Sequence, residues 1–415
     1  MRVRIHRGAS EVGGNCVELE ASGQRLVLDV GLPLSTSNPD EATLPSIAGL
    51  SGGDASLRGI VLSHAHPDHY GLVDRVGADV PIYAGRATAQ ILREAAFFTR
   101  SGADLRLAAE LEHERPLHLG RFTLTPYLVD HSAFDAYALL VEADGRRLFY
   151  SGDLRSHGRK QRTMERLFRS PPANVDVLLM EGTTVGRSAT LDPVLSEDAV
   201  EDAARRVFID TDGLALCLFS PQNVDRLVSL FRAAKRAGRT FVYDLYAASV
   251  ARATARPDTI PQPEWPEVRV YLPRAQRQKV IATQAFERVD AVRQARIYPE
   301  ELRRKRARLA MLFRPSMGPE LAHAGCLEGA RAVWSQWAGY LDEPPGKQTT
   351  RWLAEQGIPL EIIHASGHAS IEDLRRLTDA FANARLVPIH TGHPEQFENA
   401  FGRAEIHADG EWWAV

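Results

Sequence analysis

The chain has 415 residues, of which 44% are hydrophobic and 25% charged, with a formal net charge of −3. That length is too great for one ordinary core, so two domains are expected, and the composition is that of a globular protein. No run of eighteen apolar residues occurs, so no membrane span is expected, and the charge argues neither for nor against a nucleic-acid partner.

The opening Met1-Arg2-Val3-Arg4-Ile5-His6 alternates like a strand and lacks the apolar core of a signal peptide. Cys16, Cys217 and Cys326 are far apart and odd in number. They suggest reduced, buried thiols in a cytoplasmic protein rather than a disulfide framework or a Cys-based zinc site. Strands are expected at Val3–His6, Cys16–Leu19, Arg25–Leu28 and Ile60–Leu62, with turns at Gly13-Gly14-Asn15 and Gly23. Residues 86–98 have apolar residues at helical spacing. Phe122–Leu128, Tyr137–Glu142 and Arg147–Tyr150 read as strands, and Val175–Met180 as a strand buried on both faces.

After about residue 190 helical and strand-like segments alternate, which implies a parallel sheet with crossover helices. Glu197–Ile209 and Asn223–Ala237 read as helices, and Leu214–Phe219, Thr240–Asp244, Val268–Leu272 and Leu309–Phe313 as strands. Arg331–Tyr340, with Trp334 and Trp337, reads as a helix. Leu360–His364 and Leu386–His390 read as strands, with a helix over Ser370–Phe381 between them.

The chemistry concentrates in Ser63-His64-Ala65-His66-Pro67-Asp68-His69, directly after an apolar strand. Neutral imidazoles and carboxylates are ligands for Zn²⁺ and similar ions. One tetrahedral ion cannot easily use His64, His66, Asp68 and His69 from so short a loop. Two ions can, and a two-ion site suits phosphate-ester hydrolysis. Further ligands should follow at strand ends, where His131, Asp153 and His390 stand. His393, three residues past His390, competes for the last place.

This set resembles the metallo-β-lactamase superfamily: Asp29, then His64/His66/Asp68/His69, then His131, Asp153 and a C-terminal histidine. The resemblance implies a four-layer αββα sandwich. It also implies that His64, His66 and His131 bind one ion, that Asp68 and His69 bind the second, and that Asp153 bridges them. The long segment between Asp153 and the last histidine resembles the inserted α/β domain of the β-CASP branch. Glu181, His368 in His364-Ala365-Ser366-Gly367-His368 and His390 fit that branch's later motifs. The forms of these motifs, and Gly8-Ala9-Ser10-Glu11-Val12-Gly13-Gly14-Asn15, are most similar to ribonuclease J and its relatives, whose extra C-terminal domain is not expected here. The expected organisation is a metallo-β-lactamase domain in 1–192, an inserted domain in 193–350 and a return segment in 351–415.

The expected function is hydrolysis of RNA phosphodiesters with two Zn²⁺ ions, Mn²⁺ and Mg²⁺ being alternatives, and 5′-to-3′ exonuclease action among its modes. Asp68 or Asp153 would orient the nucleophile. His368 would be the general acid, since imidazole works near neutral pH, and Glu181 would orient it or a ligand histidine. Ser220 and Asn223 in Phe219-Ser220-Pro221-Gln222-Asn223, and Ser316 in a second strand-to-helix junction, are candidates for gripping a phosphate; simple helix capping is the other reading. The basic run Arg303–Arg308 reads either as a track for a nucleic-acid backbone or as a solvated face. RNA or single-stranded DNA is the expected partner, with no membrane and with the oligomeric state, a homodimer included, left open. The rivals are a DNA nuclease or small phosphoester or thioester hydrolase on the same fold, and a non-catalytic nucleic-acid-binding protein.

Overall fold

Short segments with apolar residues at every second position form strands that bury one set of side chains on each face of a sheet. The computed structural model describes residues 1–36, 39–187 and 196–415. Its strands begin with β1 (Arg2–Arg7), β2 (Cys16–Ala21), β3 (Gln24–Leu28), β4 (Leu57–Val61), β5 (Ile82–Gly85) and β6 (Leu107–Leu111). Next come β7 (Leu117–Leu119), β8 (Phe122–Leu128), β9 (Tyr137–Ala143), β10 (Arg146–Tyr150) and β11 (Val177–Glu181). They continue with β12 (Ala215–Leu218), β13 (Thr240–Asp244), β14 (Val268–Tyr271), β15 (Arg296–Ile297), β16 (Leu309–Leu312), β17 (Arg331–Trp334) and β18 (Leu360–Ile362). The last are β19 (Arg385–Ile389) and β20 (Trp412–Ala414). The chain divides into two units, one of Met1–Pro193 with Gly367–Val415 and the other of Val194–Ser366.

The first unit holds two sheets, in the orders β20-β1-β2-β3-β4-β5-β6 and β19-β11-β10-β9-β8-β7. Leu139 and Val141 of β9 point inward and pack with Val3, Ile5, Leu19, Leu26 and Leu28 of the opposite sheet. The alternate residues, Ala138 and Leu140, point outward with Phe149 and Leu178. That outer face is covered by Met164 and Leu167 of helix Gln161–Arg169 and by Leu374 and Leu377 of helix Ile371–Ala380. On the other side, Ala89 and Leu92 of helix Arg86–Phe98 cover Val27, Ile60 and Leu62. Each such buried leucine stabilises the layer by roughly 1.5–3 kcal/mol. The result is a four-layer αββα sandwich.

Strand direction then gathers the polar residues. β3 is parallel to β4, and β10 is parallel to β11 and β11 to β19. β8 and β10 both run antiparallel to the β9 between them. The residues just past these strands include Asp29, Ser63–His69, His131, Asp153 and His390. Asp29 and His390 have φ of 59° and 53°, a left-handed conformation uncommon for residues with a side chain and typical of sharp turns at functional sites. Gly31 sits where an added Cβ would lie 1.8 Å from the Asp68 carbonyl oxygen, so only glycine allows the two turns to approach this closely. Trp412 and Trp413 lie in β20, paired to β1, which fits a packing role.

The second unit carries one seven-stranded sheet, β15-β14-β13-β16-β12-β17-β18. All its pairs are parallel. β12 and β16 are buried throughout, as strands covered by helices on both faces must be. Two expectations differ from the structure. Arg331–Trp334 is a strand rather than the start of a helix, because Ala332 and Val333 pair with β12 on one side and β18 on the other. The expected return at 351 falls inside helix Pro344–Glu355, and β18 still belongs to this sheet, so the second unit runs on to Ser366. The expected boundary at 192/193 lies outside the described residues. Cys16, Cys217 and Cys326 are buried free thiols. Among the described residues no helix is long and apolar enough to cross a membrane.

Candidate metal centre

Every predicted metal-ligating residue falls into one of two overlapping groups. His64, His66, His131 and Asp153 form the first, and Asp68, His69, Asp153 and His390 the second; within each, the candidate ligand atoms lie within 4.8 Å of one another. Asp153 is common to both. Its Oδ2 is 3.2 Å from His69 Nε2, 3.6 Å from His390 Nε2 and 3.7 Å from His64 Nε2. His393 joins neither group: its side chain is 47% exposed and pairs with Glu395.

The histidines are aimed by their far nitrogens. His69 Nδ1 is 2.7 Å from Asp29 Oδ2. Tyr150 Oη donates to the same oxygen at 2.7 Å, as does Ser63 Oγ at 2.8 Å. Since Ser63 spends its proton on Asp29, His64 Nδ1, 3.0 Å away, is the donor to Ser63 Oγ. Asn15 Nδ2 donates to Tyr150 Oη at 3.1 Å, which turns Asn15 Oδ1 toward His390 Nδ1 at 2.9 Å. His131 Nδ1 donates to the Gly367 carbonyl at 2.5 Å. In each case Nδ1 is held from behind and Nε2 faces the centre; Gly13 N also donates to His390 Nδ1 at 3.3 Å. His66 is reversed, with Nδ1 3.0 Å from His131 Nε2 and Nε2 toward Ser132.

These residues fit a pair of divalent cations. Nε2 of His64, His69 and His390 and both carboxylate oxygens of Asp153 are buried without a hydrogen-bond partner. Unpartnered buried lone pairs facing one another are costly unless a cation collects them. Burial holds His64, His131 and His390 below the usual imidazole range and pushes His66 down to about 4, which keeps them in the neutral, ligating form. His69 is the exception. Burial opposes its charge, but Asp153 and Asp29 outweigh it and push its pKa well up. The pocket thus already demands positive charge between two carboxylates.

His368 and Glu181 stand beside Asp153. Glu181 is buried and its carboxylate accepts from Leu154 N at 3.0 Å and Thr183 N at 3.3 Å. His368 Nδ1 lies 3.2 Å from Glu181 Oε2 and 3.7 Å from Asp153 Oδ2, and its side chain is 24% exposed. In the second unit, Asn223 Oδ1 accepts from Arg226 N at 3.0 Å, so Asn223 is the N-cap of helix Val224–Arg236, as the capping reading held. Ser220 and Ser316 are exposed. Sequence reasoning gave no role to Ser63, Tyr150 or Asn15, which aim the histidines. The signal for Asn15 was its place in a glycine turn, a residue type that tolerates tight backbone and offers an amide.

A sequence model described as a β-lactamase superfamily domain matches residues 43–209. Ribonuclease J of Sinorhizobium meliloti is 25% identical over 367 residues, 84% of this chain and 60% of that protein. Ribonuclease TTHA0252 of Thermus thermophilus is 29% identical over 198 residues, 44% of each chain. The chain therefore spans less than two thirds of the length of these curated relatives. A crystal structure of a protein of unknown function from Enterococcus faecalis V583 superposes with a TM-score of 0.78 at 22% identity, over 100% of this chain and 99% of that one. That likeness speaks for the fold. These findings support a place in the metallo-β-lactamase superfamily, whose model matches residues 43–209. Within it, its sequence is ribonuclease J-like.

Proposed function

We propose that the protein is a two-metal ribonuclease that hydrolyses RNA phosphodiester bonds, with 5′-to-3′ exonuclease action as its mode. The observation that carries this reading is the ring of Nδ1-tethered histidines whose other nitrogens converge on Asp153. On this reading His64, His66, His131 and Asp153 would hold one Zn²⁺ ion and Asp68, His69, His390 and Asp153 the other, with Mn²⁺ or Mg²⁺ as substitutes. When bound, such cations supply Lewis-acid charge to a phosphate oxygen and ready a water for attack.

The chain's own groups do the rest. Asp68, 13% exposed, reaches the open side of its group and orients the attacking water. His368 donates a proton to the leaving 3′-oxygen. Burial works against its charge, but Glu181 and Asp153 raise its pKa to about 9, so it holds that proton at neutral pH. Glu181 keeps the ring turned by the 3.2 Å contact to Nδ1.

The ribonucleases among the relatives support RNA over a small ester as substrate. The second unit, read as a β-CASP-like insertion, supports a polymer in the same way. Ser220 and Ser316 are proposed to meet a terminal phosphate, with Asn223 fixing the backbone of that turn.

The test is direct. End-labelled RNA and DNA, each with a 5′-phosphate or a 5′-hydroxyl, are incubated with the metal-loaded protein while its metal content is measured. RNA cleavage with two ions per chain is expected. Full metal occupancy with no cleavage of RNA, DNA or a generic phosphodiester would overturn the proposal.

A further inference from the structure

We propose that Asp130, Arg155 and Gly158 form a positioning knot that sets the metal affinity of the His131 group selectively. The inference rests on reading that group as a metal site.

Asp130 directly precedes His131, and Arg155 follows Asp153 by two residues. Both Asp130 and Arg155 are fully buried. Their side chains meet at 3.4 Å, Arg155 Nε to Asp130 Oδ1. The backbones meet too: Arg155 N donates to the Asp130 carbonyl at 2.7 Å, and Gly158 N donates to Asp130 Oδ2 at 2.7 Å. A Cβ at Gly158 would lie 2.3 Å from Asp130 Oδ1 and 2.5 Å from Arg155 Nη2, so the fit admits no side chain. Lys160 adds a bond from Nζ to the His131 carbonyl at 3.3 Å.

A buried ion pair is a poor device for stability alone, since removing both charges from water costs about as much as their attraction returns. Fixing one stretch of backbone against another is the use best attested for such pairs. Here the two stretches are the turn after β8, which delivers His131, and the turn after β10, which delivers Asp153. The knot sets their separation. Apart from Asp153, the second group draws on turns the knot does not touch: Asp68 and His69 follow β4, and His390 follows β19. The pair should therefore act on one ion far more than on the other.

The experiment is a Co²⁺ titration of the full chain, followed by equilibrium dialysis and by the visible absorption that reports ligand geometry. Wild type should take up two ions. In Arg155→Lys and Asp130→Asn, one ion should weaken about 10–100-fold with a changed spectrum, while the other keeps its affinity. Circular dichroism checks that the variants fold. If neither does, Lys160→Gln, which trims only the bond to the His131 carbonyl, should weaken the same ion by a smaller factor with the same spectral change. Unchanged affinities and spectrum, or equal weakening of both ions, would overturn the knot. Failure of wild type to take up Co²⁺ would overturn the metal reading beneath it.

Discussion

Asn15 Oδ1 and His390 Nδ1 stand 2.9 Å apart although 375 positions separate them in the sequence. The amide is itself oriented by Tyr150, whose hydroxyl donates onward to Asp29. One chain of hydrogen bonds thus aims both His390 and His69. Asn15→Ala should cost about 10–100-fold in affinity for one of two ions while leaving the fold intact. Metal competition with a chromophoric chelator measures it. An unchanged affinity would mean that the backbone turn alone fixes His390.

His368 Nδ1 lies 3.2 Å from Glu181 Oε2 and 3.7 Å from Asp153 Oδ2. His368→Ala should leave both ions bound and slow cleavage by about 10²–10⁴-fold, the span of general acid–base catalysis. Metal analysis beside single-turnover rates separates the two effects. A fall in metal content would make His368 a ligand instead.

The same ring predicts a pH dependence in the metal-free protein. Its pKa is raised from 6.5 to about 9, burial opposing the charge and Glu181 and Asp153 outweighing burial. The folded value lies above the unfolded one, so the stabilisation is complete below 6.5 and is lost as pH rises through about 9. Glu181→Gln removes the leading attraction, so the ring's titration should move down and that slope should flatten. Histidine ring resonances and thermal midpoints against pH report both. A His368 resonance indifferent to Glu181→Gln would refute the pairing.

Ser220 is exposed at the junction between β12 and helix Val224–Arg236. Ser220→Ala should slow cleavage of 5′-monophosphate RNA more than that of 5′-hydroxyl RNA. Equal effects on the two substrates would remove the phosphate role.

What could be read in advance was what the chain writes locally. Ser63–His69 announces itself because its ligands share one turn, and His131, Asp153 and His390 because each follows an apolar strand. The order of layers in the first unit was implied by the resemblance to the metallo-β-lactamase superfamily. What stayed hidden depends on turns meeting in space. Asp130 and Arg155 carry no spacing signal, since their pairing exists only once β8 and β10 flank β9. Arg331–Tyr340 misled because Trp334 and Trp337 fall at helical spacing, whereas sheet pairing on both sides decided the outcome. The end of the second unit was missed because β18 is short and largely exposed, so little in its composition ties it to the sheet.

Splitting the first unit around the second has a consequence for the order of synthesis. His64, His66, His131 and Asp153 all precede residue 194, while His368 and His390 follow residue 366. A chain emerging from the ribosome therefore carries all four residues of one group, but His390 of the other and His368 are absent until the whole second unit has been translated. On the proposed reading, the cutting centre is kept incomplete while that stretch of its own message is still being decoded.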